Sequence, residues 1–397
     1  MSRIDELIAK YCPNGVNHKE LWKLTTWDKK FNGVDKSMQP KVIKYPYLLA
    51  ADMNTLETEQ GNVRLLATGV GAEKYTTEKL AGSNLCEGEI VAIPWGGTPN
   101  VKYYKGKFVT ADNRIATSND TTILNNKFLY YYLCANLDLI TSFYRGAGIQ
   151  HPHMKSVLTM KIPVPPLAVQ EEIVNILDSF TLLEAELEAE LEARKKQYEH
   201  YRDKLLNFAD ISQGGVRTMA INQLCEVSRG RVMSKDYLRE NIGDYPVYSS
   251  QTANNGELGK INTFDYDGEY LTWTTDGANA GSVFYRNGKF SVTNVCGLLK
   301  SKTNDVSMKY LSYCLGNVAK KYVNEGMGNP KLMSNVMEKI KVPIPPLEEQ
   351  ERIVSILDKF DALVNDISDG LPAEINARRQ QYEYYRDKLL NFEPIAA

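Results

Sequence analysis

The chain has 397 residues, of which 43% are apolar and 24% charged, and its formal net charge is −2. That length allows two or three domains, each with its own core. No run approaches 18 apolar residues, which excludes a transmembrane helix. The opening MSRIDELIAKYC lacks the apolar stretch of a secretory leader, and the six cysteines are scattered with no CxxC pair. Reduced, structural thiols and a cytoplasmic location are therefore expected.

Residues 1–161 read as a mixed α/β domain. A short helix (Ile4–Tyr11) precedes a Pro-Asn-Gly turn at 13–15. Strand-like runs follow, rich in β-branched and aromatic residues: KVIKYPYLLA, NVRLLATGV, GEIVAIPW and KYYKGKFVT. The tetrapeptide YKGK (104–107) suggests a tight hairpin. A helical run, NNKFLYYYLCANLDLITSFY (125–144), leads into a Gly-rich loop, RGAGIQHPHMK.

Residues 162–208 begin the stretch around which the chain is built. IPVPPLAVQEEIVNILDSF (162–180) returns as VPIPPLEEQERIVSILDKF (342–360) at an offset of 180. RKKQYEHYRDKLLNF (194–208) returns as RRQQYEYYRDKLLNF (378–392) at an offset of 184. In the first copy apolar residues fall three and four apart, with one gap of seven between Leu191 and Tyr198, from Ile173 through Leu177, Phe180, Leu183 and onward to Phe208, which describes a coiled-coil seam. A helix over 170–208 would be about 58 Å long at roughly 1.5 Å per residue. Pro165-Pro166 and Pro345-Pro346 fix the helix starts, and place Glu171-Glu172 and Glu348-Glu349 in the first turns. Gly370 and Pro372 predict a break in the second helix.

Residues 209–341 repeat the plan of the first domain with diverged residues, and 342–397 repeat the helix. GEYLTWTTDGANAG (268–281) sits opposite GEIVAIPWGG, YRNGKFSVTN opposite YYKGKFVTAD, and MKYLSYCLGNVAKKYV opposite the first domain's helical run. YRNGKF again suggests a hairpin. The expected architecture is α+β: two tandem mixed α/β domains separated by two long helices that form an antiparallel coiled coil with pseudo-twofold symmetry. The globular parts are mildly basic and the helices acidic, so a polyanion would meet the globular parts.

Catalytic signatures are missing from the sequence. It has no P-loop, no GxGxxG after a strand, and no Asn/Asp-Pro-Pro-aromatic tetrapeptide of an amino-methyltransferase. His151 and His153 lie two apart without a metal-ligand constellation. The loops do carry binding character. Thr68, Trp95, Thr98, Asn100, Gln150, His151, Ser249, Ser250, Gln251, Asn254, Asn255, Trp273, Thr275, Asn279 and Asn329 offer the amide, hydroxyl and aromatic groups that pair with or pack on base edges. Lys74, Lys102, Arg145, Lys155 and Lys331 could neutralise phosphates.

Taken with the opening IDELIAKYCPNGV, the two Pro-Pro motifs and the two RDKLLNF helix ends resemble the specificity (S) subunits of type I restriction–modification systems, over the whole chain. The resemblance implies two target recognition domains, each reading half of a bipartite site in double-stranded DNA. It implies a spacer of at most about 17 bp at roughly 3.4 Å each, and no catalysis by this chain. Partners would be two methyltransferase (M) and two restriction/translocase (R) subunits, which would hold S-adenosylmethionine, ATP and Mg2+. Docking and spacing would fall to Pro165, Pro166, Leu167, Phe180, Tyr201, Pro345, Pro346, Leu347, Phe360 and Tyr385. The rival reading is a non-catalytic coiled-coil adaptor with two ligand-binding domains and no DNA role.

Overall fold

The computed structural model describes residues 2–208, 216–326, 328–366 and 369–395. The chain divides into two compact units: residues 1–186 with 375–397, and residues 187–374. Each unit thus owns one globular domain, part of the first long helix and part of the second.

Unit 1 contains a six-stranded sheet: β1 (Thr25–Trp27), β2 (Val63–Leu66), β3 (Lys74–Thr76), β4 (Cys86–Pro94), β5 (Lys102–Thr110) and β6 (Asn113–Ser118). The strand order is β1-β6-β4-β5-β2-β3, with only β5 and β2 parallel among the paired neighbours. Helix α1 (Asn126–Ala135) packs on this sheet, and the long helix α2 spans Leu167–Leu206. Unit 2 uses the same plan: β7 (Cys225–Arg229), β8 (Ile242–Tyr248), β9 (Glu257–Ile261), β10 (Tyr266–Thr274), β11 (Val283–Val292), β12 (Cys296–Ser301), then helix α3 (Met308–Val318). Its order is β7-β12-β10-β11-β8-β9, with β11 and β8 parallel. Two sequences that differ at most positions therefore build one topology.

The expected hairpins are not turns. YKGK lies inside the continuous strand β5 and YRNGKF inside β11. The glycines that signalled a turn instead face each other across the ladder, Gly106 opposite Gly88 and Gly288 opposite Gly268. Gly106 sits at φ +137 and Gly288 at φ +105; only glycine takes such angles freely, which lets a long strand bend without breaking. KVIKYPYLLA forms no strand. It makes isolated bridges at Val42 and Tyr47, and Pro46 between them has no N–H to give a ladder. The 125–144 run is two helices, broken at Asn136.

Helix α2 starts at Leu167, directly after the two prolines, so Glu171 and Glu172 fall beyond its first turn. The second repeat is two helices, α4 (Leu347–Asn365) and α5 (Leu371–Leu390), and Glu348 and Glu349 are in the first turn of α4. The break comes at the expected place: α5 begins one residue before Pro372, where a missing backbone N–H costs nothing. Ile367 of the expected seam lies outside the described residues.

The helices couple to each unit in the same way. In unit 1 the Phe180 ring stacks on Tyr385 (centroids 5.6 Å, planes 25° apart) and meets Tyr382 at 6.3 Å. In unit 2 Phe360 stacks on Tyr201 (5.7 Å, 25°) and meets Tyr198 at 6.3 Å. Arg379 pairs with Glu184 further along unit 1, so α2 and α5 run antiparallel there. The front of each repeat therefore pairs with the back of the other.

Polar contacts set the domain on the helix. Gln170 is fully buried in unit 1; its amide accepts from Asn125 N (2.9 Å) and donates to Ile123 O and Pro165 O (2.7 Å each). Gln350 does the same in unit 2, with Ser307 N, Asp305 O and Pro345 O. Asp178 accepts from Lys127 (2.7 Å) and Tyr131 (2.5 Å), and Asp358 from Lys309 and Tyr313 (2.6 Å each). Burial, and after it hydrogen bonding of the neutral phenols to these carboxylates, pushes the Tyr131 and Tyr313 hydroxyls far up. Short ladders complete the mounting: His18–Glu20 with Lys161–Pro163, and Arg217–Ala220 with Lys341–Ile344.

Candidate nucleic-acid interface

Three loops meet in unit 1. Asn100, buried after β4, donates through Nδ2 to Thr68 O and Thr98 O, both at 3.0 Å. Lys102 Nζ donates to Thr68 O at 2.7 Å and to Asn100 Oδ1. These bonds tie the 67–73 loop to the 95–101 loop. Gly97 N donates to Gln150 O at 3.2 Å, and His151 Nδ1 lies 2.7 Å from Trp95 O, which brings in the 145–151 loop. The His151 and Trp95 rings are 5.0 Å apart. The Arg114 guanidinium lies 4.2 Å from the Trp95 ring and is held by Asp112 at 3.0 Å, with Asp28 at 3.6 Å. Burial pushes the Asp28 carboxyl up, against the hydrogen bond from Ile115 N and the charge of Arg114.

The same three loops meet in unit 2 through different atoms. Ser250 Oγ donates to Asp276 at 3.0 Å and Thr293 Oγ1 to Ser249 Oγ at 3.0 Å. Gly277 N donates to Pro330 O at 3.0 Å, and Leu332 N to Thr275 O at 2.9 Å. Arg286, 3% exposed, reaches Asn255 O at 2.7 Å and Thr272 Oγ1 at 3.1 Å. Asn254 and Asn255 sit at φ +48 and +53, a left-handed turn that asparagine tolerates better than most residues.

The sequence-selected residues separate by exposure. Thr98, Arg145, Gln150, Lys155, Asn254, Asn255, Asn279, Asn329 and Lys331 are exposed, and among the described residues their side chains make no hydrogen bond or ion pair. Others frame the loops instead. Trp273 is wholly buried and its indole N–H donates to Leu332 O at 2.9 Å; Thr275 is buried and donates to Val295 O at 2.8 Å. These two, with Asn100, cannot present their side chains to a ligand, because the groups that would reach it already face inward. Lys74 pairs with Glu57, and Gln251 donates to Glu257 O. Arg114 and Arg286, the buried cations under the loops, were not picked out from sequence; a lone arginine within an apolar strand was their signal. Pro165 and Pro345 are buried while Pro166, Pro346 and Leu347 are exposed at the helix starts.

A family model of the type I restriction modification DNA specificity domain matches residues 28–193 and 214–377. The chain belongs to this family, whose part in a type I system is DNA sequence specificity. The putative type I specificity subunit S.MpnORF615P of Mycoplasma pneumoniae is 48% identical over 238 residues, covering 58% of this chain and 94% of that protein. The putative type I restriction enzyme specificity subunit S.HindORF215P of Haemophilus influenzae is 34% identical over 344 residues, covering 77% of this chain and 83% of that protein. In fold, the chain is similar to the type I S subunit from M. genitalium, with a TM-score of 0.64 at 17% identity over 95% of this chain and 96% of the other. The adaptor reading, with no DNA role, is left without support. Among the described residues no helix is long and apolar enough to cross a membrane.

Proposed function

We propose that each unit reads one half of a bipartite site in double-stranded DNA through its three-loop face. The exposed residues are the readers: Thr98, Arg145, Gln150 and Lys155 in unit 1, and Asn254, Asn255, Asn279, Asn329 and Lys331 in unit 2. Amides can pair with base edges, and Arg145, Lys155 and Lys331 hold phosphates. One observation carries this reading. The two units keep one fold and one helix coupling, yet the side chains on their equivalent loops differ, as two readers of unlike sequences require.

Near-identical couplings suit identical partners. On this reading two methyltransferase subunits dock on the matched surfaces around Pro166, Leu167, Phe180 and Tyr385, and around Pro346, Leu347, Phe360 and Tyr201. Two restriction/translocase subunits complete the complex in the cytoplasm. The chain is itself non-catalytic, and S-adenosylmethionine, ATP and Mg2+ sit on the partners. Footprinting of the complex with its methyltransferase subunit is expected to show two protected half-sites with a sequence-independent gap; one continuous site would overturn the reading.

A further inference from the structure

Unit 1 contains a cavity of about 460 Å3 behind its loops, with no assigned role. The 67–74 loop and the start of β5 wall it, and Tyr104, two residues on from Lys102 and so on the same strand face, is among its lining residues. It also receives two cations. Lys102 directs two of its three N–H donors to neutral oxygens, Thr68 O and Asn100 Oδ1. Among the described residues no carboxylate lies within ion-pair distance of it. An ammonium partly desolvated without a counter-ion is costly, and desolvation holds the half-buried Lys102 down to about 8. Arg64, the second cation, meets Glu73 and Tyr75 through Nη1, but its Nε is buried with no hydrogen-bond partner.

Unit 2 is built otherwise at the same register. Opposite Tyr270 stands Arg286, where unit 1 has Tyr104 opposite Ile90. Phe284 stands opposite Thr272, where unit 1 has Lys102 opposite Ala92. The Arg286 guanidinium packs 3.6 Å from the Tyr248 ring and 4.7 Å from Phe284. Unit 2 thus has a phenylalanine where unit 1 has the lysine without a counter-ion, and its arginine, at the position of Tyr104, is packed among its own rings.

We propose that the unit 1 cavity takes one nucleotide, its base against the Tyr104 ring and its phosphate on Lys102, with the Arg64 guanidinium alongside. The volume is that of a small-ligand pocket. An anionic phosphate, whether mono- or diester, answers the one uncompensated ammonium, since Glu73 already pairs with Arg64. Aromatic faces accept any base by stacking. The nucleotide has two possible sources: a free mononucleotide, or one extruded from the duplex held by the adjacent loops. The second source rests on the function proposed above.

Two arms separate these sources. Calorimetric titration of the full chain with adenosine and thymidine 5′-monophosphates is expected to show one saturable site, weakened about tenfold or more by Lys102→Met. Tyr104→Leu is a second variant should Lys102→Met fail to fold, as judged by circular dichroism. In the other arm, 2-aminopurine is placed in turn at each position of the first half-site. A fluorescence rise on binding that is lost in the same variants assigns the nucleotide to DNA. Binding of mononucleotides without any duplex affinity would keep the cavity's role and sink the DNA-reading proposal. No saturable binding in either arm, or binding unchanged in the folded variants, overturns the inference.

Discussion

The two units differ in where they tolerate change. Against the helices, the Gln170 and Gln350 amides, the Asp178 and Asp358 carboxylates, and the Phe180 and Phe360 ring stacks agree in partner type and to within a few tenths of an ångström. At the loops, unit 1 has an Arg114–Trp95–His151 stack, whereas unit 2 has Arg286 on Tyr248 and the left-handed Asn254-Asn255 turn. The contrast shows which surface is shared and which is individual. Groups that mount the reader are held constant, and groups that could touch a ligand are free to vary because the frame beneath them is fixed separately.

The sharpest way to break the shared half is to remove a buried amide. Gln170→Leu leaves Asn125 N, Ile123 O and Pro165 O without partners inside the protein, and is expected to cost about 3 kcal/mol or more. Gln350→Leu should cost the same within about 1 kcal/mol by denaturant titration, and unequal costs would show that the couplings only look alike. Next, Phe180→Ala and Phe360→Ala are each expected to cost about 2 kcal/mol, given half-buried rings in paired stacks. Both should weaken methyltransferase binding in a pull-down, and loss from only one variant would refute equal docking surfaces.

The individual half is tested by specificity. Arg145→Ala and Lys331→Ala should each lower the slope of log affinity against log salt by about 0.9, without changing the bases read. Replacing residues 249–255 should change the second half-site in a methylation map and leave the first alone. The smallest effect is a pH dependence. Lys102 is held near 8 in the folded protein against an ordinary 10.5. Between those values the unfolded chain binds more protons there, so stability rises with pH across the window. Lys102→Met should flatten that rise relative to wild type in melts from pH 8 to 10.5, and parallel curves would rule out the buried ammonium.

Much of the fold was legible because it was written twice. Two Pro-Pro motifs, two seams and one break at Gly370-Pro372 were readable because proline and helical periodicity act locally. YKGK and YRNGKF were misread for the converse reason: a glycine's local signal is the same in a turn and in a bent strand, and only its partner across the ladder, Gly88 or Gly268, distinguishes them. The loop residues could be picked by type but not sorted. Trp273 and Asn100 carry the same groups as exposed readers, and their burial depends on Leu332 and Thr68, which are distant in sequence.

The sequence by itself determined that there are two tandem domains and two long repeated helices, since periodicity and proline chemistry need only neighbours along the chain. Only the tertiary structure decided that Gln170 and Gln350 fasten each domain. It alone decided, too, that Lys102 lies half-buried beside a cavity, in register with Phe284 of the other unit. Those outcomes depend on which residues far apart in sequence share a desolvated space, where a hydrogen bond or a charge is expensive to leave unmet.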